Sequence, residues 1–526
     1  MKIFILSDAP IPSGFGRISG EVALRLAQRG HQVEMASTLW DGVMPIQAPE
    51  HTPLLHKYPF RIAGLAGRDL WTYTANLIGM ANPDVVICCQ DFPYAQTLYF
   101  NCRLDWSKRA FVVITPIDGT PIDEEWLNVV DEADATMVIS RFGVEAMRQA
   151  GKRVGLCHPG VDSNVFRPAS ADEKRALRNK AGLMDDAFVL GMMAMNQGRK
   201  AIPHTIQGWW EFARDKANAY LYLDMDKVGA GGWNIPKLAK EIGIPEGRIL
   251  YKEEWNARGL TELRDRFCVL DAHSVLSHRE GFGLPLVESM ACRIPTLAMD
   301  YCSGTEIVGG GKGYLVKTGK DFRYGTWGNA RDFDPDLEHF VSLLNEIYTH
   351  PLRAQGIADV GYEWARAQSW DNAATAVEDT LRAVAEKRGQ RGNGTKSNSG
   401  VVANAGTVGG NPAGDTGADG VGDRAGVQST VVRVETLLEH HAEPAAIAGG
   451  SDFDRRRVDG IRPDAAGWAA DDGDSQSHEY AVRENGERGG ARSSGGLAVI
   501  SEFGHRGPAE LAGSNGSIVP SVPDCA

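Results

Sequence analysis

The chain alternates between short apolar runs and longer stretches in which apolar residues recur every three or four positions, with glycine- or proline-bearing loops between them. Ile3, Ile5 and Leu6 mark a first strand between Met1 and Ala9. A helix is predicted from about Ile18 to Arg29, with Gly30 where a C′ glycine belongs, and His31 to Ser37 reads as the next strand. Further strands are expected at Asp84 to Cys89, Phe111 to Thr115 and Ala135 to Ile139. After a link around Arg167 to Ala171 the pattern resumes, with strands near Phe188 to Ala194, Ala219 to Leu223, Arg248 to Tyr251 and Ser274 to Ser277. Helical periodicity then covers about Asp334 to His350, Arg353 to Ala367 and Asp371 to Lys387. Alternation of this kind builds parallel doubly wound sheets, whose ligands sit at the carboxyl ends of the strands.

The periodicity stops near Gly389. Beyond it the chain is rich in Gly, Ala, Ser and Asp; residues 391–526 carry 19 acidic and 12 basic side chains and so supply about half of the formal net charge of −13. Such a composition buries too little apolar surface to offset its ordering entropy, and a disordered tail is expected, with Val431 to His441 the one stretch able to form a helix on a partner.

With 526 residues the chain is too long for one core, and 43% hydrophobic and 23% charged residues suit a globular protein. No run reaches the ~18 apolar residues of a membrane helix. The apolar part of MKIFILSD is too short for a signal peptide, so no integral membrane segment and a cytoplasmic location are expected. The acidic balance argues against a broad nucleic-acid surface. Eight cysteines show neither a disulfide framework nor a CxxC pair and read as buried thiols. No His/Cys cluster has zinc-ligand spacing, and Asp224-Met225-Asp226 reads as strand-end turn chemistry, so no metal is expected.

The chemistry concentrates in SHREGFGLPLVESMACRIPTLAMD, Ser277 to Asp300. A strand end, a loop with Gly281 and Gly283 and a helix opened by Pro285 outline a phosphate site, in which backbone N–H groups and the positive end of the helix dipole face an anion. Glu280 precedes the loop and Glu288 lies about one turn into the helix, leaning back toward it. Carboxylates do not bind phosphate, but they accept strong hydrogen bonds from hydroxyls. A ligand carrying both phosphate and hydroxyls, such as a nucleotide sugar, satisfies both.

Glu280 to Glu288, within EGFGLPLVESMACRIP, resembles the paired-glutamate signature of family-4 retaining glycosyltransferases, also called glycosyl transferases group 1. The resemblance covers roughly residues 1 to 387. It implies the GT-B fold: two Rossmann-like doubly wound domains facing a cleft, here 1–168 on the acceptor side and 169–350 on the nucleotide-sugar side. Residues 351–388 would be closing helices that cross back to the first domain, entered at Ser369-Trp370-Asp371, and 389–526 the tail.

It also implies roles. Gly14 and Gly16, with Arg17, match a glycine loop beneath the cleft; a third glycine of a dinucleotide fingerprint is missing, since Ser19 stands there. Phe282, Gly283 and Leu284 would offer N–H groups to the donor diphosphate, Glu288 would hold the ribose and Glu280 the sugar. Lys200 occupies the place of the family's diphosphate-binding lysine. The family's partner arginine stands six positions earlier, where this chain has Ala194, and Arg199 is taken as its substitute. Gln90, Asp91 and Asp118 are acceptor-side candidates, Asp118 either as a general base where the family carries a histidine or as a turn residue with Gly119. Glu306 is expected either to touch the donor or, the reading preferred because it needs no ligand, to close a capping box with Ser303. Trp209, Trp210 and Trp233 could stack on sugars, but packing is their more ordinary use and is expected.

The implied activity is metal-independent transfer of a sugar, a hexose by preference, from a nucleotide diphosphate sugar to an acceptor hydroxyl on a glycan, lipid, protein or modified base, with no cofactor beyond the donor. Two other classes stay open at this point: a non-catalytic nucleotide-sugar-binding scaffold with an interaction tail, and a sugar-nucleotide epimerase.

Overall fold

Two parallel sheets carry the architecture, in a computed structural model that describes residues 1–43, 57–229, 232–252, 259–323 and 330–397. The first sheet contains β1 (Lys2–Ser7), β2 (Gln32–Ser37), β3 (Ile62–Gly64), β4 (Val85–Cys89), β5 (Ala110–Thr115), β6 (Ala135–Val138) and β7 (Gly155–Leu156), in the order β3-β2-β1-β4-β5-β6-β7. The second contains β8 (Phe188–Met193), β9 (Ala219–Asp224), β10 (Ile249–Lys252), β11 (Ala272–Val275), β12 (Thr296–Met299) and β13 (Tyr314–Val316), in the order β10-β9-β8-β11-β12-β13. Helices cover both faces, which is why the central strands read as continuous apolar runs: every residue of VVICC in β4 and of FVLGMM in β8 is buried. This is the GT-B pair of α/β domains.

An antiparallel hairpin, β14 (Thr318–Phe322) with β15 (Asp332–Pro335), follows the second sheet. It shifts the start of the next helix. That helix spans Leu337–Thr349, because Asp332 to Pro335 pair in the hairpin and Asp336 caps the helix by accepting from the His339 N–H.

The last helix, Trp370–Ser397, packs on the first-domain helix Gly14–Gln28. Arg29 Nη1 reaches Glu378 at 2.9 Å and Arg388 reaches Asp134 at 2.8 Å. Trp370, Val377, Leu381 and Val384 join one apolar core with Ile3, Val33 and Leu26 of the first domain and Phe267 and Leu286 of the second. The helix runs past Gly389, where the compositional change begins; residues 398–526, the rest of the expected tail, lie outside the described residues. Where the chain crosses between domains, the Val161 N–H donates to Gln368 O at 2.9 Å. Gly160 packs there so closely that a Cβ would sit 2.2 Å from Trp370 N. Among the described residues no helix is long and apolar enough to cross a membrane.

Candidate active site

The order of the second sheet reverses between β8 and β11, so the loops after these two strands lie side by side at their carboxyl ends. The loop after β11 leads through Gly283, at φ 92°, into the helix Leu284–Ala291, with Pro285 in its first turn. Only glycine adopts that backbone without strain. No side chain caps this helix. Its dipole and the Phe282, Gly283 and Leu284 N–H groups are therefore not matched by a carboxylate of the chain's own at the cap position.

The loop after β8 ends in a short turn, Gly198–Lys200, that brings its cations to Glu280. Lys200 Nζ lies 2.5 Å from Glu280 Oε2, Arg199 Nη1 3.5 Å from the same oxygen, and Ser277 Oγ donates to it at 2.9 Å. Burial opposes the Glu280 charge, but Lys200, Arg199 and the hydrogen bonds outweigh it and hold the carboxyl at about 2. For Lys200 burial is the largest influence, and with Arg199 it pushes the ammonium pKa below the usual lysine value against the pull of Glu280. The expected pair of cations is thus assembled around one carboxylate. Ala194 contributes none; nearby, Asn196 holds the following loop through bonds to Asp226 O at 3.0 Å and Trp233 O at 2.7 Å.

Glu288, 2% exposed, is paired with Arg17, which reaches it from the first domain. Arg17 also stacks over the Phe166 ring at 5.8 Å. On the same helix Ser13 accepts from the Gly16 N–H, and a Cβ at Gly16 would lie 1.9 Å from Ile11 O, so this glycine is required by packing. Gly14 has nothing within 4 Å of such a Cβ.

Asp118 meets the second domain, with Oδ1 3.8 Å from Arg279 Nη1. Arg279 is itself held by Asp332 at 2.8 Å. Asp91 is exposed at the residue level, yet the protein around its carboxyl and then Asp118 lift it to about 6, against Arg199. Gln90 is occupied elsewhere, donating to buried Asp8 at 2.5 Å, which also accepts from Thr38 Oγ1 at 2.6 Å and Ser13 Oγ at 2.7 Å. This knot around Asp8 was not legible in the sequence because its partners lie on three different loops.

The capping box expected at Ser303 and Glu306 does not form. Cys302 takes the cap position of the helix Ser303–Val308, and Ser303 Oγ instead donates to Glu280 O and Phe282 O, both at 2.8 Å, bracing the Gly283 loop. Glu306 crosses the cleft: Oε2 accepts from the N–H groups of Arg141 at 2.7 Å and Phe142 at 3.1 Å, and Oε1 lies 3.2 Å from His158 Nε2. A carboxylate serves a foreign helix N-terminus as well as its own. Asp224, the first acid of the DxD pattern, is buried against Arg266 at 2.8 Å. Trp209 is fully buried, in keeping with packing, whereas Trp233 is 41% exposed.

Residues 235–323, which hold Glu280, the Gly283 loop and Glu288, match the family model described as Glycosyl transferases group 1. Over this segment the chain is similar to glycosyl transferases group 1. Among curated relatives, D-inositol 3-phosphate glycosyltransferase of Stackebrandtia nassauensis is 29% identical over 277 residues, covering 49% of this chain and 58% of its own length. The Mycobacterium marinum enzyme of the same name is 26% identical over 264 residues, 48% of this chain and 51% of its own. The chain thus spans between half and three fifths of these relatives. In structure it resembles sucrose-phosphate synthase from Thermosynechococcus elongatus, with TM-score 0.59 and 16% identity over 74% of this chain and all of that one. It also resembles Anabaena Alr3699/HepE in complex with UDP and glucose, with TM-score 0.56 and 17% identity over 73% of this chain and all of that one. These likenesses agree with the GT-B fold.

Proposed function

We propose that the chain transfers a sugar, a hexose by preference, from a nucleoside diphosphate sugar to an acceptor hydroxyl with retention of configuration. The observation that carries this reading is the meeting of Lys200, Arg199 and Glu280 beside an uncapped helix N-terminus with Glu288 one turn in. The donor diphosphate takes the Phe282, Gly283 and Leu284 N–H groups and draws Lys200 and Arg199 from Glu280. Freed, Glu280 accepts from sugar hydroxyls and Glu288 from the ribose. As the bond from C1 to the diphosphate oxygen breaks, the acceptor oxygen bonds C1 on the same face, and its proton passes to a departing phosphate oxygen. The charge that develops on the diphosphate is met by preorganised cations and N–H groups, so the step runs without a metal. Asp118 and Asp91, on the opposite wall, orient the acceptor.

The UDP and glucose named with the Anabaena structure make uridine donors the first to try. The test is a thermal-shift and hydrolysis screen of the full chain against UDP-, GDP- and ADP-sugars, with Glu288→Ala as control. Stabilisation by one donor, lost in the variant and accompanied by slow sugar release, supports the reading. Binding without release would leave a nucleotide-sugar binder, and no binding at all would overturn the assignment.

A further inference from the structure

Three side chains from separate segments converge beside the phosphate loop: His204 in the helix Ile202–Ala213, His278 after β11 and Asp334 in β15. One donor atom of each lies within 4.8 Å of the other two. His204 Nε2 is 3.3 Å from Asp334 Oδ1, His278 Nδ1 is 3.8 Å from the same oxygen, and the two rings meet edge to face with centroids 5.5 Å apart.

Two imidazoles and a carboxylate form the donor set that borderline divalent ions take. In a tetrahedral zinc site with bonds of about 2.1 Å, neighbouring donors stand about 3.4 Å apart. The His204–Asp334 edge already has that length. His204 and Asp334 keep 30% and 35% of their side-chain surface exposed, which leaves them room to turn and an ion a way in.

Hydrogen bonding leaves one ring nitrogen of the cluster without a partner. His204 Nδ1 is buried and has no hydrogen-bond partner among the described residues. His278 Nδ1 faces the Phe333 carbonyl at 2.8 Å, and a carbonyl can only accept, so Nδ1 carries the proton and Nε2 the lone pair. An ion taken up beside Asp334 would replace that proton on Nδ1, the nitrogen that faces Asp334 Oδ1 at 3.8 Å. Phe322 closes the far side, its ring 5.0 Å from that of His278.

We propose that His204, His278 and Asp334 bind one divalent transition-metal ion, zinc by the chemistry of the donors, with water completing the set. The ion plays no part in sugar transfer. It ties the β14–β15 hairpin to the catalytic loops, since the His278 N–H bonds Arg199 O at 2.9 Å. The same hairpin segment reaches the first domain, where the Arg331 N–H donates to Thr120 O at 2.9 Å.

The test is titration of the chelator-treated, full-length protein with Co²⁺. One equivalent should bind with visible d–d bands and no thiolate-to-cobalt charge-transfer band, and Zn²⁺ should displace it and raise Tm by a few degrees. His204→Ala and Asp334→Asn, both at partly exposed positions, should each lose that equivalent while the metal-free Tm stays near that of the parent. A thiolate band, full stoichiometry in both variants, or no binding at tens of micromolar Co²⁺ would each overturn the proposal.

Discussion

Lys200 Nζ lies 2.5 Å from Glu280 Oε2, so the cation proposed to meet a donor phosphate is already matched by a carboxylate beside it. Removing one partner strands the other. Lys200→Ala should therefore lower stability by about 3 kcal/mol, the lower end for a buried pair because both side chains keep some exposure. Lys200→Ala/Glu280→Gln should recover most of the Tm but none of the turnover. If the double variant regained transfer as well, Lys200 would be a structural residue only; Tm and initial rates on the same preparations decide it.

The same pair sets an acid limit. Glu280 is depressed from 4.5 to about 2 in the folded chain, so its contribution is fully present above pH 4.5 and is lost as the pH falls toward 2. The shift corresponds to about 3 kcal/mol. Urea unfolding at pH 5 and pH 2.5 should show the parent losing roughly 2 kcal/mol more than Lys200→Ala/Glu280→Gln. Equal losses would place the acid sensitivity at other carboxylates.

Glu306 acts on a helix of the other domain, accepting from Arg141 N–H and Phe142 N–H. A lost cap costs about 1 kcal/mol, or roughly fivefold in local opening. In Glu306→Ala, hydrogen exchange at the amides of Arg141 and Phe142 should rise by about that factor, with the strands of both sheets unchanged. Unchanged exchange would mean that the cross-domain contact is not held in solution.

Gly14 and Gly16 separate packing from binding. A Cβ at Gly16 meets Ile11 O at 1.9 Å, so Gly16→Ala should lose about 1–3 kcal/mol in denaturant unfolding. Gly14→Ala meets nothing within 4 Å. It should fold as the parent does, and a fall in kcat/KM without a fall in Tm would place substrate at this loop.

Local chemistry was legible in the sequence, and cross-domain chemistry was not. The apolar runs located β1, β4, β5, β8 and β9 to within a residue or two, because strands buried on both faces are apolar throughout. Short edge strands such as β3, with three residues, and β7, with two, left no such run. The Gly283 loop, Pro285 and the glutamate spacing are contiguous, so their geometry follows from one stretch of chain. Lys200 needed the family resemblance, since a lone lysine has no local signature. Neither Glu306 at the Arg141 helix nor the convergence of His204, His278 and Asp334 could be read, because each pairs residues from distant segments. The Ser303–Glu306 spacing even favoured the wrong partner: a capping box and a cross-domain cap use the same carboxylate, and only the fold decides between them.

The close approach of Gly160 to Trp370 has a mechanical consequence. The chain passes between the domains twice, and the two passages touch there, joined by the Val161 to Gln368 hydrogen bond. Two crossings fastened side by side act as a pivot. Rotation about that point is the compliant motion, because sliding one domain past the other would shear both crossings at once. A methyl group at Gly160 would wedge the pivot, and so reset the angle from which every cleft contact is made.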